Sequence, residues 1–262
     1  YTGFYEGTGR FGAIYRNQWA TVSAPFQTYA LTAETSLKRN RQQLSGVNLG
    51  IVAMKDAAGT LNYGTLAARL SLAYYRAFNR QGTSVVSVGA EGGYALSGFD
   101  PSRAEMSDPS EVFEKQQSGY PVLGVGMAWV WQPTGDWQGK TGVAVRNINR
   151  PNISYLGLGD TRLEPLVNLY LRAEWRCWQS VSLLPTVMAQ TQGRYRELIY
   201  GMDVKWYVDE IARHQVSFAT GAAYRHGDAL VTHLTMEYDA FVFAFYYDSN
   251  LSSPTHMLIY DS

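Results

Sequence analysis

Apolar and polar residues alternate with a period of two along almost the whole chain, and this leaves few folds open. Successive side chains of a strand point to opposite faces, whereas an amphipathic helix repeats its apolar positions every three or four residues. Between Thr65 and Tyr75, Leu66, Ala68, Leu70, Leu72 and Tyr74 share one face, and Thr65, Ala67, Arg69, Ser71, Ala73 and Tyr75 share the other. Val47, Leu49, Ile51 and Ala53 oppose Gly46, Asn48 and Gly50. Leu198, Tyr200, Met202, Val204, Trp206 and Val208 oppose Gly201, Asp203, Lys205 and Tyr207. Val216, Phe218, Thr220, Ala222 and Tyr224 oppose Gln215, Ser217, Ala219, Gly221 and Ala223. The same separation recurs in 86–96, 169–175 and 230–238.

Read this way, the chain predicts about fourteen strands, near 9–17, 26–35, 42–56, 61–78, 83–99, 121–132, 138–149, 161–176, 180–191, 195–208, 213–225, 228–238, 240–248 and 255–261. Most reach about ten residues or more, longer than the five or six usual in soluble sheets and close to the 9–11 that a tilted strand needs to cross a bilayer. Turn chemistry separates them at Pro133-Thr134-Gly135-Asp136, Gln192-Gly193, Val208-Asp209-Glu210 and His226-Gly227-Asp228. The best helical candidate, Pro109 to Gln117, is short and polar and lies inside the longest expected non-strand stretch, Asp100 to Tyr120. The longest apolar run, Ala240 to Tyr247, has eight residues, too few for a membrane-spanning helix of roughly 20. No linker or repeat divides the chain, so a single domain over 1–262 is expected, and no signal peptide is visible.

Two arrangements satisfy such strands: a soluble sheet with its apolar face inside, or a membrane barrel with its apolar face in lipid. The polar face decides. It is dominated by Gly, Ala, Ser, Thr and Asn, where a solvated β-surface carries dense Lys and Glu. Its isolated mid-strand charges are Arg69, Arg146, Arg172 and Lys205 against Glu91, Glu174, Asp203 and Glu237, four of each sign, which predicts a paired network across a lumen. The chain has 19 Tyr, 7 Trp and 25 Gly with only 17% charged residues, as interfacial aromatic girdles and a crowded interior would require. Girdle candidates are Tyr74, Tyr75 and Phe78, Trp129 and Trp131, Trp175 and Trp178, Trp206 and Tyr207, and Tyr246 and Tyr247. Net charge is zero, with 22 basic and 22 acidic residues, which excludes the electrostatic footprint of a nucleic-acid binder. The expected fold is an all-β transmembrane antiparallel β-barrel of about fourteen strands, embedded in outer-membrane lipid.

More specific than composition is the block Tyr15-Arg16-Asn17-Gln18-Trp19 followed by Pro25-Phe26-Gln27-Thr28-Tyr29. With Gly142 to Pro151, Gly221 to Ala229 and Tyr246 to Ser252, it resembles the PorP/SprF family of outer-membrane proteins of Bacteroidota, associated with type IX secretion and gliding. Tyr1-Thr2-Gly3 is similar to the end of that family's opening segment, while Met257-Leu258-Ile259-Tyr260 departs from its usual closing strand. The resemblance implies a bacterial outer-membrane location and a non-enzymatic anchor or adaptor. Its implied partners are a secreted surface protein or adhesin C-terminal domain, and a periplasmic secretion-system protein or lipoprotein. The alternative is an outer-membrane channel or hydrophobic-substrate transporter on a similar barrel, separated by its single-channel conductance.

Chemistry is sparse. Among four histidines, His214, His226, His233 and His256 show no HxxxH or HxH spacing, and neither a metal nor a cofactor is expected. His233 with Glu237 could form a base and its orienting carboxylate, or a structural hydrogen bond. There is no Gly-x-Ser-x-Gly elbow, and Tyr5 to Gly9 lacks the following helix that phosphate binding needs. The single cysteine, Cys177, reads as an interfacial filler beside Trp175 and Trp178. Arg16 and Trp19 are expected to clamp the first strands or to offer a docking surface. Asp100 to Tyr120, with Asp100, Arg103, Glu111, Phe113 and Tyr120, is the candidate partner-binding loop, since long loops in compact barrels tend to be functional.

Overall fold

A computed structural model describes residues 9–18, 26–40, 44–58, 63–99, 117–154, 161–211 and 214–251. They form thirteen strands: β1 (Gly9–Gln18), β2 (Phe26–Asn40), β3 (Ser45–Ala58), β4 (Tyr63–Ala77), β5 (Ser84–Gly98), β6 (Gln117–Thr134), β7 (Trp137–Arg146), β8 (Leu166–Trp178), β9 (Val181–Gln192), β10 (Tyr195–Ile211), β11 (His214–Arg225), β12 (Ala229–Tyr238) and β13 (Phe241–Asn250). The strands form one sheet in chain order, and no helix occurs among the described residues. Next-neighbour antiparallel order is the topology of an up-and-down barrel wall. A fourteenth strand at 255–261 and the helix candidate up to 116 lie outside the described residues; Gln117 itself begins β6.

The chain divides into two compact units, Tyr1–Ala128 with Ala144–Leu166, and Trp129–Val143 with Val167–Ser262. In the first, β2 to β5 pair over long registers, broken once between Ser36 and Lys38 of β2, such as Leu70 with Gly92 and Ser71 with Glu91. In the second, β9 to β13 do the same, placing Asp203 beside Gly221 and Gly221 beside His233.

The faces are those that a lipid-facing wall requires. In β4, Leu66, Leu70, Leu72 and Tyr74 are about half exposed, while Ala67, Arg69, Ala73 and Tyr75 are buried. Leu123, Val125, Met127 and Trp129 of β6 are exposed, and Ser118, Tyr120 and Val122 are buried. A soluble monomer rarely exposes contiguous apolar patches beyond a few hundred Å², and here the exposed apolar face runs from strand to strand.

Four expectations are corrected. Val208-Asp209-Glu210 is not a turn; β10 runs on to Ile211, and a register irregularity between Val208 and Ile211 absorbs the change. Tyr120 lies within β6, not in a loop. The connection from β7 to β8 also starts earlier and ends later than expected, because Asn147 and Arg150 adopt left-handed φ values of 59° and 42° and end the strand. Finally, consecutive aromatics cannot both join a girdle, since a strand turns them to opposite faces. Tyr74 and Trp206 are exposed, but Tyr75 is buried and Tyr207 turns to the polar face, where its hydroxyl meets Glu174.

Candidate functional site

The eight charges singled out in the sequence fall into local groups and are buried to different depths, from Arg69 with 8% of its side chain exposed to Arg172 with 54%. In the first unit, Arg146 Nε donates to Glu91 Oε1 at 2.7 Å, and Arg69 Nε lies 3.7 Å from Glu91 Oε2. Glycines make room for these long side chains. A Cβ at Gly93, the register partner of Arg69, would press on the Ala68 carbonyl and sit 2.7 Å from the Arg69 Cγ, and one at Gly124 would sit 2.8 Å from the Glu91 Cγ.

The same face is covered by chain from the β7–β8 connection. Ala67 of β4, Ala95 of β5, and Tyr120 and Val122 of β6 form a buried cluster, and Ile153 and Leu163 pack against it. Asn149 fastens the start of this connection by donating to the Pro121 carbonyl at 2.8 Å and accepting from the Leu123 N–H at 3.2 Å. The Ile153 N–H donates to Thr161 O, the Leu163 N–H to Pro151 O, and Arg150 pairs with Glu164. Most of the "GVAVRNINRP" block is thus explained: Arg146 holds Glu91, Asn147 and Arg150 turn the chain, and Asn149 ties it down.

In the second unit a polar belt crosses several strands. Gln138 donates to Glu174 at 2.7 Å, and Glu174 also accepts from the Tyr207 hydroxyl. The Arg176 guanidinium lies 4.3 Å from the centre of the Tyr207 ring, close enough for a cation–π contact. Lys205 donates to Glu237 at 2.5 Å, and Glu237 accepts from Ser217 at 2.8 Å. Asp203 takes Arg172 at 3.6 Å and contacts the His233 ring, which rests 5.4 Å from the Tyr246 ring. His233 therefore pairs with Asp203 and not with Glu237, which its own strand places two residues beyond Thr235. Gly221 makes this possible: on β11 it sits in register between Asp203 and His233, and a Cβ there would press on the Asp203 carboxylate. No group of three or more metal-ligating side chains occurs among the described residues.

Sequence reasoning missed a second cluster at the β11–β12 turn. Arg225 lies 3.1 Å from Glu197, 3.2 Å from Asp228 and 3.0 Å from Asp248. Gly227, at φ 75°, turns the chain so that Asp228 folds back toward Arg225. This joins the "YRHGDA" and "YYDSNLS" blocks, which adjoin the open end of the β12–β13 hairpin, through one guanidinium. Tyr207, Ser217 and Gln138 were also missed. For Tyr207 the signal was available, since its phase is opposite to that of Trp206.

The N-terminal block occupies the end of β1. The Tyr15 and Tyr29 rings lie 5.0 Å apart at a tilt of 38°, Arg16 pairs in register with Thr28, and Asn17 with Gln27 and Gln18 with Phe26 complete the ladder. Trp19, Asp100, Arg103, Glu111 and Phe113 lie outside the described residues. Cys177 donates to the Val181 carbonyl at 3.5 Å and is partly buried.

No curated protein matches the chain. A family model for the type IX secretion system membrane protein PorP/SprF matches residues 1–258, and the chain belongs to that family.

Proposed function

We propose that residues 1–262 form one outer-membrane barrel whose interior is occupied by its own side chains and loop, and which serves as a non-enzymatic anchor or adaptor in type IX secretion or gliding. Its partners in this reading are an exported surface protein or adhesin C-terminal domain, and a periplasmic secretion protein or lipoprotein. The supporting observation is that Ile153 and Leu163 of the β7–β8 connection lie against the buried face of β4, β5 and β6. A conduit needs that face wet and free, whereas a scaffold gains rigidity from covering it. Contacts with partners then fall to the strand ends, with 100–116 and the β7–β8 connection as the long segments between strands.

Two readouts on the full chain test this. Crosslinking in the outer membrane, followed by purification and mass spectrometry, is expected to capture one defined exported or periplasmic protein. Planar bilayers containing the purified chain are expected to show no large, steady single-channel steps. Steady steps with no captured partner would overturn the adaptor reading in favour of a channel.

A further inference from the structure

The four-against-four balance of charges is not local. The group around Glu91 holds two guanidiniums and one carboxylate, a net charge of plus one. Oε1 of Glu91 is engaged by Arg146 at 2.7 Å, and Oε2 stays 3.7 Å from Arg69, beyond hydrogen-bond reach. The Arg69 side chain is only 8% exposed, and its Nε has no hydrogen-bond partner among the described residues. Its register neighbours, Val52 on β3 and Gly93 on β5, have no side-chain acceptor. Arg69 thus has the charge of Glu91 nearby but no hydrogen bond at Nε, and buried guanidinium donors are ordinarily hydrogen-bonded, because leaving one unsatisfied costs its desolvation.

We propose that Arg69, assisted by Arg146, is an anion-binding site on the buried face of the first unit and that its ligand is a monoanionic carboxylate. The class follows from charge and shape. One negative charge neutralises the group, whereas a phosphate dianion would overshoot it. A planar carboxylate also matches the planar guanidinium fork. The carboxylate comes either from a small solute or from the end of a polypeptide. The proposal rests on Arg69 and its neighbours and is independent of the adaptor reading.

The test uses the full chain in lipid nanodiscs with ¹⁵N-labelled arginine, following the Arg69 Nε–H resonance, assigned by its loss in Arg69→Lys. At constant ionic strength, sodium acetate is expected to shift this resonance saturably, and sodium chloride is not. Glu91→Gln removes the competing carboxylate and is expected to tighten acetate binding several-fold. A tripeptide with a free C-terminus, compared with its amide, separates the two sources. A shift by the free acid alone assigns a polypeptide end, and a shift by acetate alone assigns a solute. No saturable shift with either carboxylate, an equal response to chloride, or a response to inorganic phosphate only would overturn the proposal. The titrations read the folded wild-type chain, and Arg69→Lys, which keeps the positive charge, serves only to assign the resonance.

Discussion

Leu70→Arg is expected to destabilise the chain in a bilayer by about 2–4 kcal/mol, the cost of a cation on the lipid face near the membrane midplane. Leu70 lies in the middle of β4 (Tyr63–Ala77) and is 57% exposed among Leu66, Leu72 and Tyr74. Its neighbour Ser71 faces the other way and is paired in register with Glu91. Ser71→Asp is therefore expected to cost much less than Leu70→Arg, since a second carboxylate beside Glu91 balances the two guanidiniums, Arg69 and Arg146, that share it. Denaturant titrations of the chain refolded into lipid vesicles measure both. The comparison separates the two folds that period-two strands allow. In a water-exposed sheet, an arginine at a half-exposed leucine costs within about 0.5 kcal/mol, as surface substitutions generally do. A near-neutral Leu70→Arg would thus count against a lipid-facing wall.

The second large effect is expected at a residue with no side chain. Gly221→Val should destabilise by about 2–3 kcal/mol, the cost of leaving buried, charge-bearing partners unsatisfied. The valine Cβ would occupy the space through which the Asp203 carboxylate reaches His233 across β11. Asp203 and His233 are each only 11% exposed, so water cannot easily replace the lost contact. Asp203→Ala removes the same contact from the other side. The double variant Gly221→Val/Asp203→Ala should therefore cost clearly less than the sum of the two, as coupled neighbours do. Additive costs would mean that Gly221 matters through its close approach to the backbone of Met202 and Asp203 and not through the Asp203–His233 contact.

Much of this arrangement was legible in the sequence, and the reason is geometric. A strand buried on one face must alternate, so the pattern in Thr65 to Tyr75 gives the element, the face and the phase together. Alternation puts Arg69, Glu91, Asp203 and Lys205 on the less exposed face of their strands, whereas Arg172 is more than half exposed. Their partners were not legible. Whether His233 meets Glu237 or Asp203 depends on the registers of β10, β11 and β12 and on the absence of a side chain at Gly221, not on spacing along one strand. The aromatic girdles were half legible: proximity along the chain groups Tyr74 with Tyr75 and Trp206 with Tyr207, although alternation sends one of each pair inward. The β7–β8 connection was hardest to read. Ile153 and Leu163 have no periodic neighbours to mark them as buried, and their place follows from the left-handed turns at Asn147 and Arg150 and from the side chain of Asn149.

As a membrane protein of type IX secretion, the chain depends on its apolar face being the one that meets lipid. The most direct test is site-directed spin labelling along 66–74 of β4 in lipid bilayers, reading collision with oxygen, which partitions into lipid, and with a water-soluble nickel chelate. The lipid-facing wall predicts period-two accessibility to oxygen, with maxima at Leu66, Ala68, Leu70, Leu72 and Tyr74 and minima at Ala67, Arg69, Ser71 and Ala73. Maxima for the nickel chelate at Leu66, Leu70 and Leu72 would place that face in water and contradict the account.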